Sequence, residues 1–576
     1  MSFHDIVYSL ELGQGKVWMN RGLIFLLIAV LSTWYMVSEF HGFKEKEAMD
    51  AAQVGRQIAE GKGFTTEWIR PQAITLFKEK LTAKTDSENR LEKFPEIYQS
   101  PLYPYCLGFL FKITGKPYVV KLSDLRESPF RAEWVICFFN LLCTYATGIV
   151  IFILGARIFD GRVGFLSSVV FLFSDLIWRF ALSGLSTSLV LLLLTVSWFF
   201  LNEAFANEEN EGGGLTILWL ALAGFFAGLS VLTRLSLVWL MIPMLLILLA
   251  AFRTKVWIVS FYFLTLFLTF IPFLIRNHSL TGNWLGGWGI NYSPTDLAFS
   301  LLQGDEATLP LKMIPIRMVQ ATGYHLQNFQ GLLGGSFAAL LSFAALFHVF
   351  RRERSRCLQY GIFILLPFLI LAGSLVNAYP DWCSIWNMGV MVLPLMTICG
   401  SAYFYVLLDR MELEYPVLQK SILVGFVLLN AAPFLLTLAP PGEMPFHFPP
   451  YYPPMIKLSA EWNQKNEVMV SDMPWATAWY GDRVSIWLPA KIKDLYWIHD
   501  YIQPISSMLL TPITFDQKIS DLKSPGLVDY EKIITRVGIP ANFPLPAVVA
   551  LPPKNASGQE AFIYLSDRPR WQEEKH

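Results

Sequence analysis

The sequence predicts a polytopic α-helical membrane protein with about eleven transmembrane helices and an α/β domain outside the membrane after the last span. Three observations point there. Mean hydropathy is +0.43. Only 16% of the 576 residues are charged, against 54% hydrophobic, where soluble domains average about 25% charged. Apolar runs of about 18 residues or more recur, each long enough to cross about 30 Å of hydrocarbon. A water-soluble globule is thereby excluded. The 45 basic residues balance 45 acidic ones, so no global field attracts nucleic acid and specificity rests on local sites. Among the six cysteines no Cys-x-x-Cys pair occurs. Cys137, Cys143 and Cys399 fall inside apolar runs and Cys357 at the edge of one. A thiol there acts as a small hydrophobe, so neither a disulfide framework nor a zinc site is expected.

The first apolar run, 22–39, follows Lys16 and Arg21 and lacks a small-residue cleavage pattern, so it reads as an uncleaved first span. Further runs lie at 133–156, 163–178, 184–202, 215–233, 237–252, 256–275, 332–350, 359–376, 388–408 and 421–439. With the N-terminus in the cytoplasm, the inner loops hold Arg157 and Arg162, Arg253 and Lys255, the run Arg351, Arg352, Arg354 and Arg356, then Arg410 and Lys420, as the positive-inside rule requires. Loop 203–214, acidic and without Lys or Arg, departs from it. An odd number of spans places the C-terminus outside.

The reading is therefore a transmembrane domain over 1–440 with long external loops at 41–132 and 276–331, a proline-rich linker at 441–456 and an external α/β domain at 457–576. In that tail, strand-like pieces (468–470, 485–488, 508–510, 547–550, 562–565) alternate with helical patterns near 490–502 and 514–522, the mark of a small α/β fold. No internal repeat of the kind found in inverted-repeat transporters is present.

The first external loop opens with a predicted helix over 47–60, ended by Gly61 as a C-cap. Glu47 and Asp50, three residues apart, share one side of it. Two acids there can take a proton from a hydroxyl; the competing account is that they are ordinary acids of a first helical turn. The loop continues through Trp68-Ile-Arg70-Pro71 to Tyr98-Gln-Ser-Pro101-Leu-Tyr103-Pro104-Tyr105, where prolines around an aromatic make a rigid, amphipathic start to a short helix.

The order of an acid on a helix, Ala59-Glu-Gly61-Lys-Gly63-Phe64 and then Ser100-Pro101-Leu-Tyr103-Pro104 after a first span resembles glycosyltransferase family 39 and the wider C-type (GT-C) integral-membrane glycosyltransferases. Gly224-Phe-Phe-Ala-Gly228-Leu-Ser-Val-Leu-Thr233-Arg234 and Pro272-Phe-Leu-Ile-Arg276-Asn277-His-Ser-Leu-Thr-Gly282 look like two further signatures of that family. The resemblance covers roughly residues 20–440. It implies a transferase that takes a sugar from a polyprenyl-phosphate carrier to an acceptor outside the cytoplasm, as protein O-mannosyltransferases and lipid A aminoarabinose transferases do, with an acid of the first external loop as general base. Counting back from Gly61, Glu47 stands where the family's Asp-Glu pair begins, and Ala48 replaces the second acid. Both Glu47 and Asp50 thus remain candidates, Asp50 favoured because a shorter acid is held more rigidly.

Inverting transfer passes through an oxocarbenium-like state, with an acceptor hydroxyl losing its proton and a lipid phosphate departing. A carboxylate serves the first need, and an arginine fork can hold the phosphate at two oxygens. Arg276, at the outer end of a span, and Arg234, in a tight turn between two spans, are the candidates, because cations at membrane edges are costly to keep. Snorkelling to headgroups explains Arg276 equally well, and a helix-turn cap explains Arg234. Arg70 and Arg56 rank behind them and read first as ion-paired surface residues. Loop 283–330 holds Trp284, Trp288 and Tyr292, then Asp296, Asp305, Glu306 and His325. Its rings suit a sugar face or a lipid tail, or simply an interfacial belt. With Tyr103, and Asp381 of an outer turn, these complete the candidate substrate cavity. Asp305 and Glu306 are a weak cation pair, and neither a cofactor nor an obligatory metal is expected. In the tail, Ser471-Asp472-Met-Pro474-Trp475 to Asp482-Arg483 follows a strand; its aromatics are expected to pack against the membrane domain.

A transporter or flippase for a lipid-linked sugar would predict polar residues in mid-span or repeated halves, and the spans are nearly free of charge. A non-catalytic scaffold would predict no acids and arginines converging on the outer face. The resemblance favours a bacterial inner membrane with a periplasmic site. The expected partners are the lipid-linked donor, a lipid, glycan or protein acceptor, and membrane lipids. The sugar and the acceptor are not readable.

Overall fold

The computed structural model describes residues 14–77, 81, 90–116, 118, 122, 125, 130–209, 213–287, 314–376, 383–438, 453–489, 491–511, 514, 530–534, 538–540, 542–551 and 562–572. The chain divides into two compact units, one of 1–40, 137–270 and 315–444, the other of 41–136, 271–314 and 445–576.

The first unit is helical. Across the described residues, eight helices are long and apolar enough to cross a membrane, or nine if one bent pair is a single span, and the chain is a multi-pass membrane protein. Three of the segments read as spans take another form. Run 163–178 becomes Gly161–Leu172 and Asp175–Leu182, bent by 56°. Runs 237–252 and 332–350 become the shorter apolar helices Leu235–Ala251 and Phe337–Phe347. Asp175 opens the second half, and its carboxylate takes hydrogen bonds from the Tyr35 hydroxyl (3.0 Å), the Thr437 hydroxyl (3.2 Å) and Arg179 Nε (2.7 Å). These partners satisfy polar groups that lipid would leave stranded. The quoted Gly224 and Gly228 serve packing: a Cβ at Gly224 would stand 2.1 Å from the Tyr262 carbonyl oxygen, and one at Gly228 2.8 Å from Thr269 Cβ, so only glycine lets the two backbones approach.

The second unit is α/β. Its strands are β1 (Thr65–Thr66), β2 (Trp68–Ile69), β3 (Phe94–Pro95), β4 (Val468–Ser471), β5 (Ser485–Trp487), β6 (Ile505–Leu510), β7 (Ala547–Leu551) and β8 (Phe562–Ser566). β1 and β3 pair antiparallel; the others form one sheet in the order β2-β5-β4-β6-β8-β7. β2, β5, β4 and β6 run parallel, and β8 and β7 pair antiparallel at one edge. The helices Pro474–Gly481 and Ile492–Trp497 supply the crossovers that parallel pairing needs. All five predicted tail strands form, whereas the helical pattern near 514–522 lies almost wholly outside the described residues. β2 comes from the loop after the first span, more than 400 residues before its partner β5. The core repeats that union, with Ile69, Ile74, Phe77, Phe94 and Ile97 packing with Val470, Ile486, Met508 and Leu565. The α/β unit is therefore assembled from the loop and the tail together. Most of the proline-rich stretch lies outside the described residues, while Pro453 and Pro454 open the helix Pro453–Glu461, a position that tolerates a missing N–H.

The helix predicted over 47–60 is Lys46–Ala59. It crosses Leu102–Ile113 at two glycines: a Cβ on Gly108 would lie 2.7 Å from Ile58 Cγ2 and 3.0 Å from the Gly55 carbonyl oxygen. Gly108→Ala should therefore cost about 1–3 kcal/mol by overpacking and lower the melting temperature in detergent. Gly425→Ala, which meets nothing within 4 Å, should leave it unchanged or raise it, because alanine is the better helix former.

Candidate active site

Asp50 is fully buried in the middle of helix Lys46–Ala59. Gln53 Nε2 donates to Oδ1 at 2.9 Å, Gln99 Nε2 to Oδ2 at 2.7 Å, and Arg70 Nη2 to Oδ2 at 3.5 Å. Local geometry explains each donor. Gln53 follows Asp50 by three residues and so shares its helix face; it also donates to Thr66 Oγ1 (2.7 Å) and accepts from the Glu67 backbone N–H (2.9 Å), tying the helix to β1 and β2. Arg70 follows the end of β2, and its guanidinium lies between Trp68 and Tyr98, 4.0 and 4.2 Å from the ring centroids, a cation–π sandwich that keeps the fork rigid. Gln99 sits in a turn held by Glu96, whose Oε1 accepts from the N–H groups of Tyr98 (2.6 Å) and Gln99 (2.9 Å). Burial drives the Asp50 carboxyl up to about 7; Arg70 opposes that, Glu96 adds to it, and the two glutamine amides oppose it. Desolvation wins over an opposite charge at 3.5 Å.

Glu96 is itself completely buried, and among the described residues its Oε2 has no hydrogen-bond donor. Its carbonyl oxygen accepts from Arg276 Nη1 at 2.9 Å. Arg276 also reaches Asn277 Oδ1 (3.2 Å) and the Phe64 carbonyl (3.4 Å), and lies over the Phe64 ring at 4.8 Å. These bonds use three of the five N–H donors of a guanidinium.

Of the candidate residues, Asp50 and Arg70 thus meet directly, and Arg276 joins them through Glu96 and Phe64. Glu47 does not share their environment: it stays partly exposed beside Lys46, at 4.0 Å. Tyr103 is buried in helix Leu102–Ile113. Trp284 is exposed and stacks on His278 with centroids 4.3 Å apart. Arg234 and His325 belong to the other unit. Arg234 donates to the Ile385 carbonyl (3.0 Å) and Thr187 Oγ1 (2.8 Å), and His325 Nδ1 faces the Ala321 carbonyl at 2.7 Å. Trp288, Tyr292, Asp296, Asp305, Glu306 and Asp381 lie outside the described residues. Among the described residues no three His, Cys, Asp or Glu side chains are grouped to hold a metal ion.

Arg70 and Arg56 are ion-paired as read from the sequence, but neither is a surface residue: they are 6% and 1% exposed. Arg56 pairs with Glu67 and, at 3.4 Å, with Asp482, and donates to the carbonyls of Trp479 (2.9 Å) and Ala478 (2.6 Å). Sequence reasoning also passed over Gln53, Gln99 and Glu96. The i, i+3 spacing from Asp50 was a signal for Gln53, and the quoted Tyr98-Gln-Ser-Pro101 stretch held Gln99, but uncharged amides escape a search for titratable groups. In the tail, Asp472 follows β4 and accepts from the Thr511 N–H (2.8 Å) and hydroxyl (2.8 Å) and the Thr514 hydroxyl (2.7 Å), so this strand-end acid clamps β4 to the end of β6. The aromatic motif packs inside its own unit, Trp479 Nε1 (3.0 Å) and the Tyr480 hydroxyl (2.6 Å) both donating to Glu133. Arg56→Met strips charge from buried partners and is expected to cost about 3–5 kcal/mol, read as a fall in melting temperature; Lys491→Met, on an exposed residue, should leave it unchanged.

No curated protein matches the chain in sequence. Residues 129–276 match the family model described as dolichyl-phosphate-mannose-protein mannosyltransferase. Among solved structures, the oligosaccharyltransferase of Archaeoglobus fulgidus in complex with Zn and sulfate is 10% identical with a TM-score of 0.54, covering 92% of this chain and 72% of its own. The same archaeal enzyme, AglB, with an inhibitory peptide and a dolichol-phosphate is 9% identical at 0.53, covering 97% and 75%. ArnT from Cupriavidus metallidurans in the apo state is 10% identical at 0.51, covering 98% and 100%. The chain thus has the fold of the C-type integral-membrane glycosyltransferases, polytopic and ending in a folded C-terminal domain, and its 129–276 segment matches a mannosyltransferase family model.

Proposed function

We propose that the protein is an inverting glycosyltransferase that moves a sugar from a polyprenyl-phosphate donor to an acceptor hydroxyl, with Asp50 as the general base. The observation that carries this reading is the Asp50 cluster, a fully buried carboxyl with its proton affinity raised to about 7, on the first-loop helix and beside arginines. A base poised near the working pH is the most effective one, and perturbed carboxyls gather at functional sites. The likeness in fold to the glycosyltransferases supports it.

In this reading the acceptor oxygen attacks the anomeric carbon, the bond from that carbon to the phosphate oxygen breaks, the hydroxyl proton passes to Asp50, and the electron pair leaves on the lipid phosphate. A single displacement inverts the configuration. Gln99 Nε2 donates to Oδ2 at 2.7 Å, where the acceptor hydroxyl would donate, so the amide is a placeholder that the acceptor displaces. Arg276, with three of its five N–H donors engaged among the described residues, offers the other two to the departing phosphate, and Arg70 keeps Asp50 oriented. The site faces the periplasm of a bacterial inner membrane, with the N-terminus cytoplasmic and the C-terminus periplasmic, as the basic loops indicate.

Purified protein in detergent, given a panel of synthetic polyprenyl-phosphate sugars carrying labelled sugar, should consume one of them. Asp50→Asn should reduce turnover by roughly 10²–10⁴-fold with donor binding retained, and Glu47→Gln should do much less. Full turnover in Asp50→Asn, or passage of lipid-linked sugar across liposomes with no donor consumed, would overturn the reading. For the pH dependence, a base must be deprotonated, so kcat/KM is expected to fall as pH drops through about 7, the value for Asp50. Arg70→Gln removes a charge that favours the carboxylate, and this limb should then move to higher pH.

A further inference from the structure

The membrane unit holds a cleft of about 490 Å³, within the roughly 300–1,000 Å³ range of small-molecule pockets. It forms where helix Thr187–Glu209 ends, helix Leu235–Ala251 gives way to its following turn and helix Glu353–Val376 begins. Its walls are apolar, with Phe205, Ile247, Phe252, Tyr360 and Ile364, and its charges are Glu208, Glu209, Glu353, Arg354 and Arg356. Two of the acids are neutralised inside the protein, Glu208 by Lys255 at 2.7 Å and Glu209 by Arg354 at 2.9 Å. Arg356, half-buried, has no ion-pair partner within 4.0 Å among the described residues, and its Nε is shielded from solvent without a hydrogen-bond acceptor there, while Glu353, likewise unpaired among the described residues, is exposed at the mouth. A shielded guanidinium N–H without an acceptor is costly, and a phosphate oxygen in the cleft would supply one.

The complement of this lining is an amphiphile with three parts. A phosphate would take the Arg356 fork at two oxygens. A primary ammonium would donate to Glu353, as a quaternary one cannot. Acyl chains would lie along the aromatic and aliphatic walls. We propose that this cleft binds the headgroup of an aminophospholipid of the phosphatidylethanolamine class, as a lipid site separate from the Asp50 cluster. The inference uses only residues of the membrane unit and does not rest on the glycosyltransferase reading.

Native mass spectrometry of the full chain released from detergent tests it, with phosphatidylethanolamine, phosphatidylcholine, phosphatidylglycerol and water-soluble glycerophosphoethanolamine as probes. Phosphatidylethanolamine should be retained in preference to the other two lipids. Arg356→Gln should weaken that retention about tenfold, the scale of a charge-assisted hydrogen bond, and Arg356→Lys less. Glu353→Gln should abolish the preference over phosphatidylcholine while leaving binding of the phosphate. Arg253→Gln, on an exposed residue absent from the lining, should change nothing. An unchanged melting temperature confirms that each variant is folded. Equal retention of all three lipids, or unaltered retention in folded Arg356→Gln, would overturn the proposal. Glycerophosphoethanolamine binding as tightly as the lipid would overturn the lipid assignment in favour of a soluble phosphoamine.

Discussion

Arg56 sits 1% exposed on the helix that carries Asp50, and its guanidinium reaches the carboxylates of Glu67 and Asp482 and two backbone carbonyls of the tail helix. In a low dielectric each of these groups is expensive without the others. That mutual need fixes the helix against the residue before β2 and against Pro474–Gly481. Asp50, less than two turns earlier on the same rigid element, inherits the position. The remaining geometry of the α/β unit is consistent with this anchor: β2 joins the tail's sheet beside β5, and the first loop shares one apolar core with the tail.

Within that frame Asp50 is a balance of opposed effects. Removal from water favours its neutral form, and the neighbouring Glu96 pushes the same way, while Arg70, Gln99 and Gln53 favour the anion. Each donor is held by another element: Gln53 by Thr66, Gln99 by the Glu96 turn, Arg70 by the rings of Trp68 and Tyr98. The carboxylate is thus held in one orientation by donors from three separate segments.

The membrane unit follows a different rule, because lipid gives apolar helices no reason to prefer one another over the bilayer. Close backbone approach at Gly224 and Gly228 and internal partners for Asp175 do that work instead. The same need for internal partners makes the Arg356 Nε, without an acceptor among the described residues, conspicuous at its cleft.

Hydropathy was enough to find eight of the eleven segments read as spans, since a long run of apolar residues has one low-energy place to go. Local periodicity and a glycine cap were enough for the helix Lys46–Ala59, and alternation was enough for the five strands of the tail. The acid on that helix was legible for the same reason. What only the tertiary structure decided were features without a local period. β2 is two residues long and acquires its identity from a partner more than 400 positions away. The hydroxyl partners of Asp175, at the break, come from two other helices. The burial of Arg56 and Arg70 reverses their surface reading because their counter-charges and rings arrive from distant segments. Gln53, Gln99 and Glu96 gain meaning only from proximity to Asp50. Sequence encodes what each residue prefers as its neighbour, and chain folding over hundreds of residues selects which neighbour it meets.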